Sequence, residues 1–245
     1  QLGIVINTLT RDGSDVPTKR AFTDLMRKKY DSIDALNEAW STDITDWDAF
    51  DAGIDSKLRT DAQRQDYSDM LGVFANKYFT IVKKAMDFYM PNHMYLGARF
   101  ADWGMPIEVV RASAEHVDVI SFNRYKEGLP DHEWTFLDEF DMPTIIGEFH
   151  FGASDSGLFH PGLLIGADQE DRARMYYEYM ISVVDNPYFI GAHWFQYIDS
   201  PITGRALDGE NYNVGFVSVT DVPYAPMVKA AKKLHSEMYE RRFAQ

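Results

Sequence analysis

Four short apolar runs set between helical stretches constrain this chain more than any other feature: Met94–Phe100, Val117–Phe122, Thr144–Phe149 and Phe189–Phe195. Each is nearly continuous in hydrophobicity rather than alternating, which is the pattern of a strand covered on both faces. Strands separated by helices imply a parallel sheet. The clearest helical period, Asp61–Met90, sets Tyr67, Met70, Leu71, Phe74, Tyr78, Ile81, Val82, Ala85 and Phe88 on one face, to be read as core. Pro17, preceded by Ser14 and Asp15, opens another helix that turns Ala21, Phe22, Leu25 and Met26 inward, and a shorter one follows at Ser32–Trp40. Further helices start at Pro106, at Asp168 as an N-cap, and near Ala225.

Every apolar run finishes in polar or aromatic residues: Arg99 with Asp102 and Trp103, Asn123 with Tyr125, Glu148 with His150, and Trp194 with Gln196. Reactive groups at the ends of successive parallel strands are the arrangement of a (β/α)8 TIM barrel, whose chemistry lies at the carboxyl ends of its strands. A whole barrel needs about 250 residues, so length alone permits one. The pattern does not, because the region before Tyr95 holds only one other strand-like piece, Gly3–Asn7. The expectation is half a barrel, residues 1–245 forming one incomplete portion of a catalytic domain with no internal linker. Four parallel strands standing alone would expose unpaired edges and an apolar inner face.

Composition narrows the partners. Thirty-eight acidic against 24 basic side chains leave a formal charge of −14, which speaks against gripping nucleic acid through its phosphates. No apolar stretch nears the roughly 18 residues of a membrane span, so a membrane is not an expected partner. The absence of cysteine removes disulfides, thiol catalysis and thiolate metal ligands together.

The strongest local signal is Thr144–Gly152, a carboxylate at the end of a hydrophobic strand among small and aromatic neighbours. Retaining glycosidases use two carboxylates about 5 Å apart, one attacking the anomeric carbon and the other protonating the leaving oxygen. Glu148 is the candidate for attack, and a phenol or guanidinium beside it would favour its charged form. Tyr125 and Arg99 are placed for that. Trp194 offers an apolar face to a sugar ring, while Asp102, Asn123, His150 and Gln196 offer directional hydrogen bonds to hydroxyls.

Blander readings stand beside these. A Glu after an apolar strand also serves as a salt-bridge partner or helix cap, Tyr125 and Trp194 also serve as core aromatics, and Arg99 could simply pair with Asp102. His150 and His193 lack the spacing of a metal site, and none is expected. The acidic stretch Asp43, Asp46, Asp48, Asp51 and Asp55 fails the calcium-loop pattern and reads as a solvated face. The loop Gly204–Asn213, with Asp208, Gly209 and Glu210, either rims a cleft or is an ordinary turn.

At these residues the chain resembles the agarases of glycoside hydrolase family 50, which share the clan A barrel with the family 42 β-galactosidases. The likeness runs from end to end through Gly3–Thr8, Lys29–Trp40, Tyr95–Phe100, Ser121–Tyr125, the Glu148 segment and His193–Tyr197. It implies that the chain supplies strands five to eight. Glu148 is then the nucleophile ending the seventh strand, Tyr125 its contact from the sixth, and Trp194 the aromatic ending the eighth. It further implies hydrolysis of the β-1,4 bonds of agarose with retained configuration, no cofactor, and a secreted, periplasmic or cell-surface location.

One departure matters. The clan's acid/base is a glutamate preceded by asparagine at the end of the fourth strand, and Asn37-Glu38 is a tempting match. It falls inside the helical stretch Ser32–Trp40, so the true pair is expected upstream of residue 1, in the N-terminal half of the same barrel, and this chain alone is expected to be nearly inactive. General acid catalysis is worth about 10²- to 10⁴-fold. A β-galactosidase acting on short galactosides and a non-catalytic carbohydrate-binding or structural piece remain alternatives; a metal hydrolase ranks last.

Overall fold

A computed structural model describes residues 2–244, which divide into two compact units. One comprises the residues up to Tyr95 with Gly104–Val117, the other Leu96–Trp103 with the residues from Asp118 onward.

The first unit is helical: α1 (Gly3–Leu9), α2 (Pro17–Lys29), α3 (Ile33–Trp40), α4 (Trp47–Ala52), α5 (Asp61–Tyr89) and α6 (Ile107–Ala114). The strand-like reading of Gly3–Asn7 is corrected, because this segment is helix α1. Its buried residues, Val5 and Leu9, stand four apart, and the hydroxyls of Thr8 and Thr10 donate back to the carbonyls of Ile4 and Ile6 at 2.7 and 2.9 Å. A short apolar run carries too little period to separate the two states.

Ser32, Asp46 and Thr60 cap α3, α4 and α5, each side chain accepting from a first-turn N–H, a contribution of about 1 kcal/mol apiece. The core gathers Phe22, Met26, Leu36, Trp40, Phe50, Tyr67 and Met70, all fully buried. At its rim the carboxylate of Asp66, also fully buried, accepts from Trp40 Nε1 at 2.6 Å and Tyr30 Oη at 2.7 Å and pairs with Lys29 at 2.5 Å.

Helix α5 departs from its expected inward face. Tyr67, Met70 and Leu71 are buried, but Tyr78, Ile81, Ala85 and Phe88 are exposed, and beyond Phe79 no residue of the helix is buried. On α2 the inward residues are Lys19, Phe22, Thr23 and Met26, with Ala21 exposed. Asn37 and Glu38 lie on α3, where Asn37 bonds to the turn that follows and Glu38 is exposed.

The second unit is α/β. Its strands are β1 (Arg99–Ala101), β2 (Ile120–Asn123), β3 (Thr144–Phe149), β4 (Gly152–Ala153), β5 (Ile165–Gly166) and β6 (Phe189–Trp194), with helices α7 (Gln169–Asp185) and α8 (Ala225–Phe243). Four of them form one parallel sheet in the order β1-β2-β3-β6, and β4 pairs with β5. Near-continuous burial along the inner strands β2 and β3 bears out the two-sided cover read from the sequence there, with Ile120, Phe122, Ile146 and Phe149 buried. The two outer runs depart from it: β6 is buried at Phe189 and exposed at Ile190, and Met94 and Leu96 ahead of β1 are exposed. The Phe149 ring lies flat on Tyr179 of α7 at 4.2 Å between centroids, and Trp134 meets Phe122 and Phe189 edge-on. Such burial is worth about 2–3 kcal/mol per ring. Asp168 caps α7 by accepting from Asp171 N at 2.9 Å.

Candidate active site

The register of the sheet places the candidate groups. Asn123, at the end of β2, stands opposite Glu148 of β3, and Phe149 stands opposite Trp194 of β6, with a register shift beside Glu148 on both ladders. Arg99 opens the short strand β1 and pairs across to Ser121. Its side chain then reaches over β3. Gly147 makes that reach possible, because a Cβ there would lie 2.8 Å from Cγ and Cδ of Arg99 and 2.3 Å from Ser121 Oγ.

Both oxygens of Glu148 are engaged. Arg99 Nη1 donates to Oε2 at 2.7 Å and the Tyr125 hydroxyl donates to Oε1. The Glu148 side chain is 16% exposed and Arg99 55%, so the carboxylate is oriented but still open to solvent. Burial and then the bond to Glu148 push the Tyr125 phenol far up, so it stays a protonated donor across the physiological range. A carboxylate held by two donors, with part of its surface still exposed, is oriented and reachable by a ligand.

His150 lies beneath this pair. It is 1% exposed, its ring meets Tyr125 edge-on at 4.7 Å, and Nε2 accepts from Leu163 N at 2.9 Å. Nδ1 therefore carries the proton of the neutral ring, and it has no partner among the described residues. Burial first and the Arg172 charge second hold its pKa down at about 3. Read from the sequence as a sugar contact, His150 is instead a neutral support for Tyr125.

Two more of the expected sugar contacts have protein partners. Asp102 accepts from Arg124 Nη1 at 2.7 Å, and Arg124 also pairs with Glu133. Arg99 pairs with Glu148, not with Asp102. Trp194 donates its indole N–H to Val214 O at 2.7 Å and is ringed by Phe149, Phe151, Tyr176 and Phe216, so much of its surface is core. Asn123 keeps a buried Oδ1 without a partner among the described residues, and Gln196 is half-buried after the cis Phe195–Gln196 peptide bond.

Sequence reasoning missed the foundations of the loop after β6. Asp199, buried, accepts from Gly215 N at 2.7 Å, Tyr224 Oη at 2.6 Å and Asn213 Nδ2 at 3.1 Å. Arg172, fully buried on α7, donates to Phe151 O at 2.8 Å and Gly215 O at 2.7 Å, its guanidinium lying against Trp194 and Tyr224. Burial lowers the Arg172 pKa to about 10, still above neutrality. Only the arrival of Asp199 and Arg172 from distant segments makes this base, and no local spacing announces it. A hollow of about 550 Å³, lined by Leu137, Asp138, Pro143 and Tyr188, lies at the opposite, N-terminal ends of β3 and β6. Among the described residues no three His, Asp or Glu side chains converge as metal ligands.

A parallel α/β sheet with an oriented carboxylate at its carboxyl edge is the arrangement of a glycoside hydrolase, and the chain belongs to the family described as β-galactosidase, glycoside hydrolase family 42, which matches residues 15–145, just over half of it. That match stops short of Glu148. Its relatives are agarases: it is 50% identical over 243 residues to β-agarase B of Vibrio sp. (strain JT0107), covering 98% of this chain and 25% of that protein. The solved structure of PfGH50B is 64% identical with a TM-score of 0.95, covering 99% of this chain and 34% of that one, and an exo-β-agarase structure is 58% identical with a TM-score of 0.95, covering 99% and 33%. The likeness to family 50 is thus upheld, and the chain spans about a quarter to a third of the length of these relatives.

Proposed function

We propose that residues 1–245 are the C-terminal portion of the (β/α)8 catalytic domain of a retaining β-agarase. In this reading β1, β2, β3 and β6 are barrel strands five to eight, and the substrate is agarose or an agaro-oligosaccharide. The observation that carries the reading is the clamp on Glu148, with Arg99 on one oxygen and Tyr125 on the other, at the carboxyl edge of a parallel sheet. The exposed Ile190, second residue of outer strand β6, at 63%, supports further parts of the barrel covering this side.

Chemically, a Glu148 oxygen forms a bond to C1 of a galactosyl unit as the bond from C1 to the glycosidic oxygen breaks. The departing oxygen takes a proton from an acid supplied by the rest of the barrel. That same group, now a base, removes a proton from water, which attacks C1 and releases Glu148, and two inversions leave the configuration retained. Arg99 and Tyr125 aim the carboxylate before attack and stabilise it as a leaving group afterwards. Agarose is an extracellular polymer, so the enzyme works outside the cytoplasm.

The test uses the enzyme with its complete barrel. A 2-deoxy-2-fluoro-galactosyl fluoride should inactivate it and leave its mass on the peptide carrying Glu148, and Glu148→Gly should form an α-galactosyl azide when azide is added. Label on another carboxylate, or no azide product, would overturn the assignment. The family 42 match favours a second reading, a galactosidase of short galactosides; faster turnover of an aryl β-galactoside than of agarose would support it.

A further inference from the structure

The loop between β6 and α8 carries charged groups that the clamp does not use. Arg205 donates through Nε and Nη2 to both oxygens of Asp208 at 2.7 Å and pairs with Glu210 Oε2 at 2.8 Å. Backbone bonds between Arg205 and Glu210 and between Gly209 and Arg205, each 2.9 Å, close the loop on itself. Gly204 and Gly209, both at positive φ, allow the tight approach, since a Cβ at 204 would fall 2.6 Å from Gly209 O. The stem is held by the Asp199 and Arg172 bonds described above, so the tip is presented by a fixed scaffold.

Two routes of contact lead from this tip to the clamp. The Arg205 guanidinium lies 5.5 Å over Phe195, Phe195 lies 5.9 Å from His150, and His150 meets Tyr125. Tyr212, two residues after Glu210, also meets the His150 ring at 6.0 Å. Burial raises the Glu210 carboxyl, Arg205 opposes this, and the charge of Glu148 is felt there too. Glu210 is only 24% exposed, and Asn211 beside it and Asn123 at the end of β2 each keep a buried Oδ1 without a partner among the described residues. Polar groups half-withdrawn from water and unsatisfied, Asn123 among them opposite Glu148, match a ligand rich in hydroxyl donors.

We infer that Glu210 is the specificity-determining contact of this site, its carboxylate accepting hydrogen bonds from ring hydroxyls of the sugar whose anomeric carbon Glu148 attacks, with Arg205 holding it in position. This rests on the glycosidase reading of Glu148 and adds the residue that selects the sugar. A hydrogen bond from a hydroxyl to a carboxylate is among the stronger ones, and a site built for it rejects an analogue lacking that hydroxyl.

The experiment compares wild type, Glu210→Gln and Glu210→Ala, in the enzyme with its complete barrel, on 4-nitrophenyl β-galactoside and its 2-, 4- and 6-deoxy analogues. Glu210→Ala should lower kcat/KM on the parent about 10- to 100-fold. One deoxy analogue, penalised in wild type, should lose its penalty in Glu210→Ala, with Glu210→Gln intermediate and melting as wild type does. Identical penalties in all three proteins would overturn the inference. So would a Glu210→Ala enzyme that keeps its rate on the nitrophenyl leaving group and loses it only on agaro-oligosaccharides, the behaviour of a proton donor. Failure of the Glu148 reading appears separately, as fluoro-sugar label on a different carboxylate with the deoxy pattern intact.

Discussion

Two carboxylates, one in each unit, are bound in nearly the same way and differ in how far they are sealed from solvent. Asp66 accepts from a phenol, Tyr30, and an indole, Trp40, and pairs with a cation, Lys29. Glu148 accepts from a phenol, Tyr125, and a cation, Arg99. The side chain of Asp66 is 0% exposed and that of Glu148 is 16%. Asp66 lies in a helix interior with an apolar core around it, whereas Glu148 ends a strand whose neighbours end beside it. The donor set therefore does not distinguish a sealed carboxylate from an open one. What distinguishes them is whether a face is left open and which end of a strand or helix presents it. Tyr30 shows the electrostatic kinship: burial and the Asp66 bond push its pKa to about 12, as burial and Glu148 push Tyr125 up.

A crossed pair of substitutions breaks or confirms this contrast. Glu148→Gln should lower kcat by about 10⁴-fold or more while the melting temperature holds or rises, because an oriented reactive carboxylate is kept at some expense of stability. Asp66→Asn should do the reverse, leaving kcat of the folded enzyme unchanged. It removes the charge on which three donors converge, at a cost of about 3 kcal/mol, or a fall in melting temperature of roughly 6–12 °C for a chain of this length. Calorimetry and steady-state kinetics on both variants decide it. A large kcat loss in Asp66→Asn with normal melting would dissolve the distinction.

His150 sharpens the comparison from beneath. Its folded-state pKa of about 3 lies below the ordinary 6.5, so the ring resists protonation in the native state. The stability it contributes is complete above about pH 6.5 and is lost as pH falls toward 3. At pH 5 the loss relative to pH 7 is about 2 kcal/mol. Replacing His150 by Phe should flatten the fall of melting temperature between pH 6.5 and pH 4, whatever that change does to Tyr125 and turnover. An unchanged slope would mean that the ring titrates normally and is not sealed.

The same contrast explains what the sequence could and could not disclose. The inner strands were legible because both faces are largely buried, so β3 runs apolar through Ile145–Gly147, and Glu148 stood out where that run stops. Tyr125 followed from a strand end, whereas Arg99, expected to end its run, opens β1 and reaches Glu148 over Gly147. The C-terminal half of α5 misled, because Tyr78, Ile81 and Phe88 keep helical spacing yet stand exposed, and spacing says nothing of what covers a face. Asp66 was invisible as a hub, since Tyr30 and Trp40 reach it from other helices. Arg172 and Asp199 were missed for the same reason, as their bonds to Phe151, Gly215 and Tyr224 close over long separations. His150 and Asp102 were identified as polar groups near the site, but their partners, Leu163 N and Arg124, decide their roles, and one-dimensional spacing does not reveal those.

The smallest change tests the finest point of the comparison, that the open carboxylate depends on an aim which the sealed one gets from its surroundings. Gly147 has no side chain because the Arg99 stem occupies that space, with Cγ and Cδ 2.8 Å from where a Cβ would be. Neither obstacle to an added methyl is fixed in place. The Arg99 stem is flexible and its side chain is 55% exposed, and Ser121 Oγ can rotate, so Gly147→Ala should fold and the guanidinium should swing away from Glu148 Oε2. Losing one charged donor while Tyr125 keeps the other oxygen should lower kcat about tenfold with KM nearly constant. Arg99→Met should show the same loss. In the double variant the two losses should not add, because both remove one interaction. Additive losses would show that Gly147 acts on something other than Arg99, and no loss in either would show that Tyr125 alone suffices to aim the carboxylate.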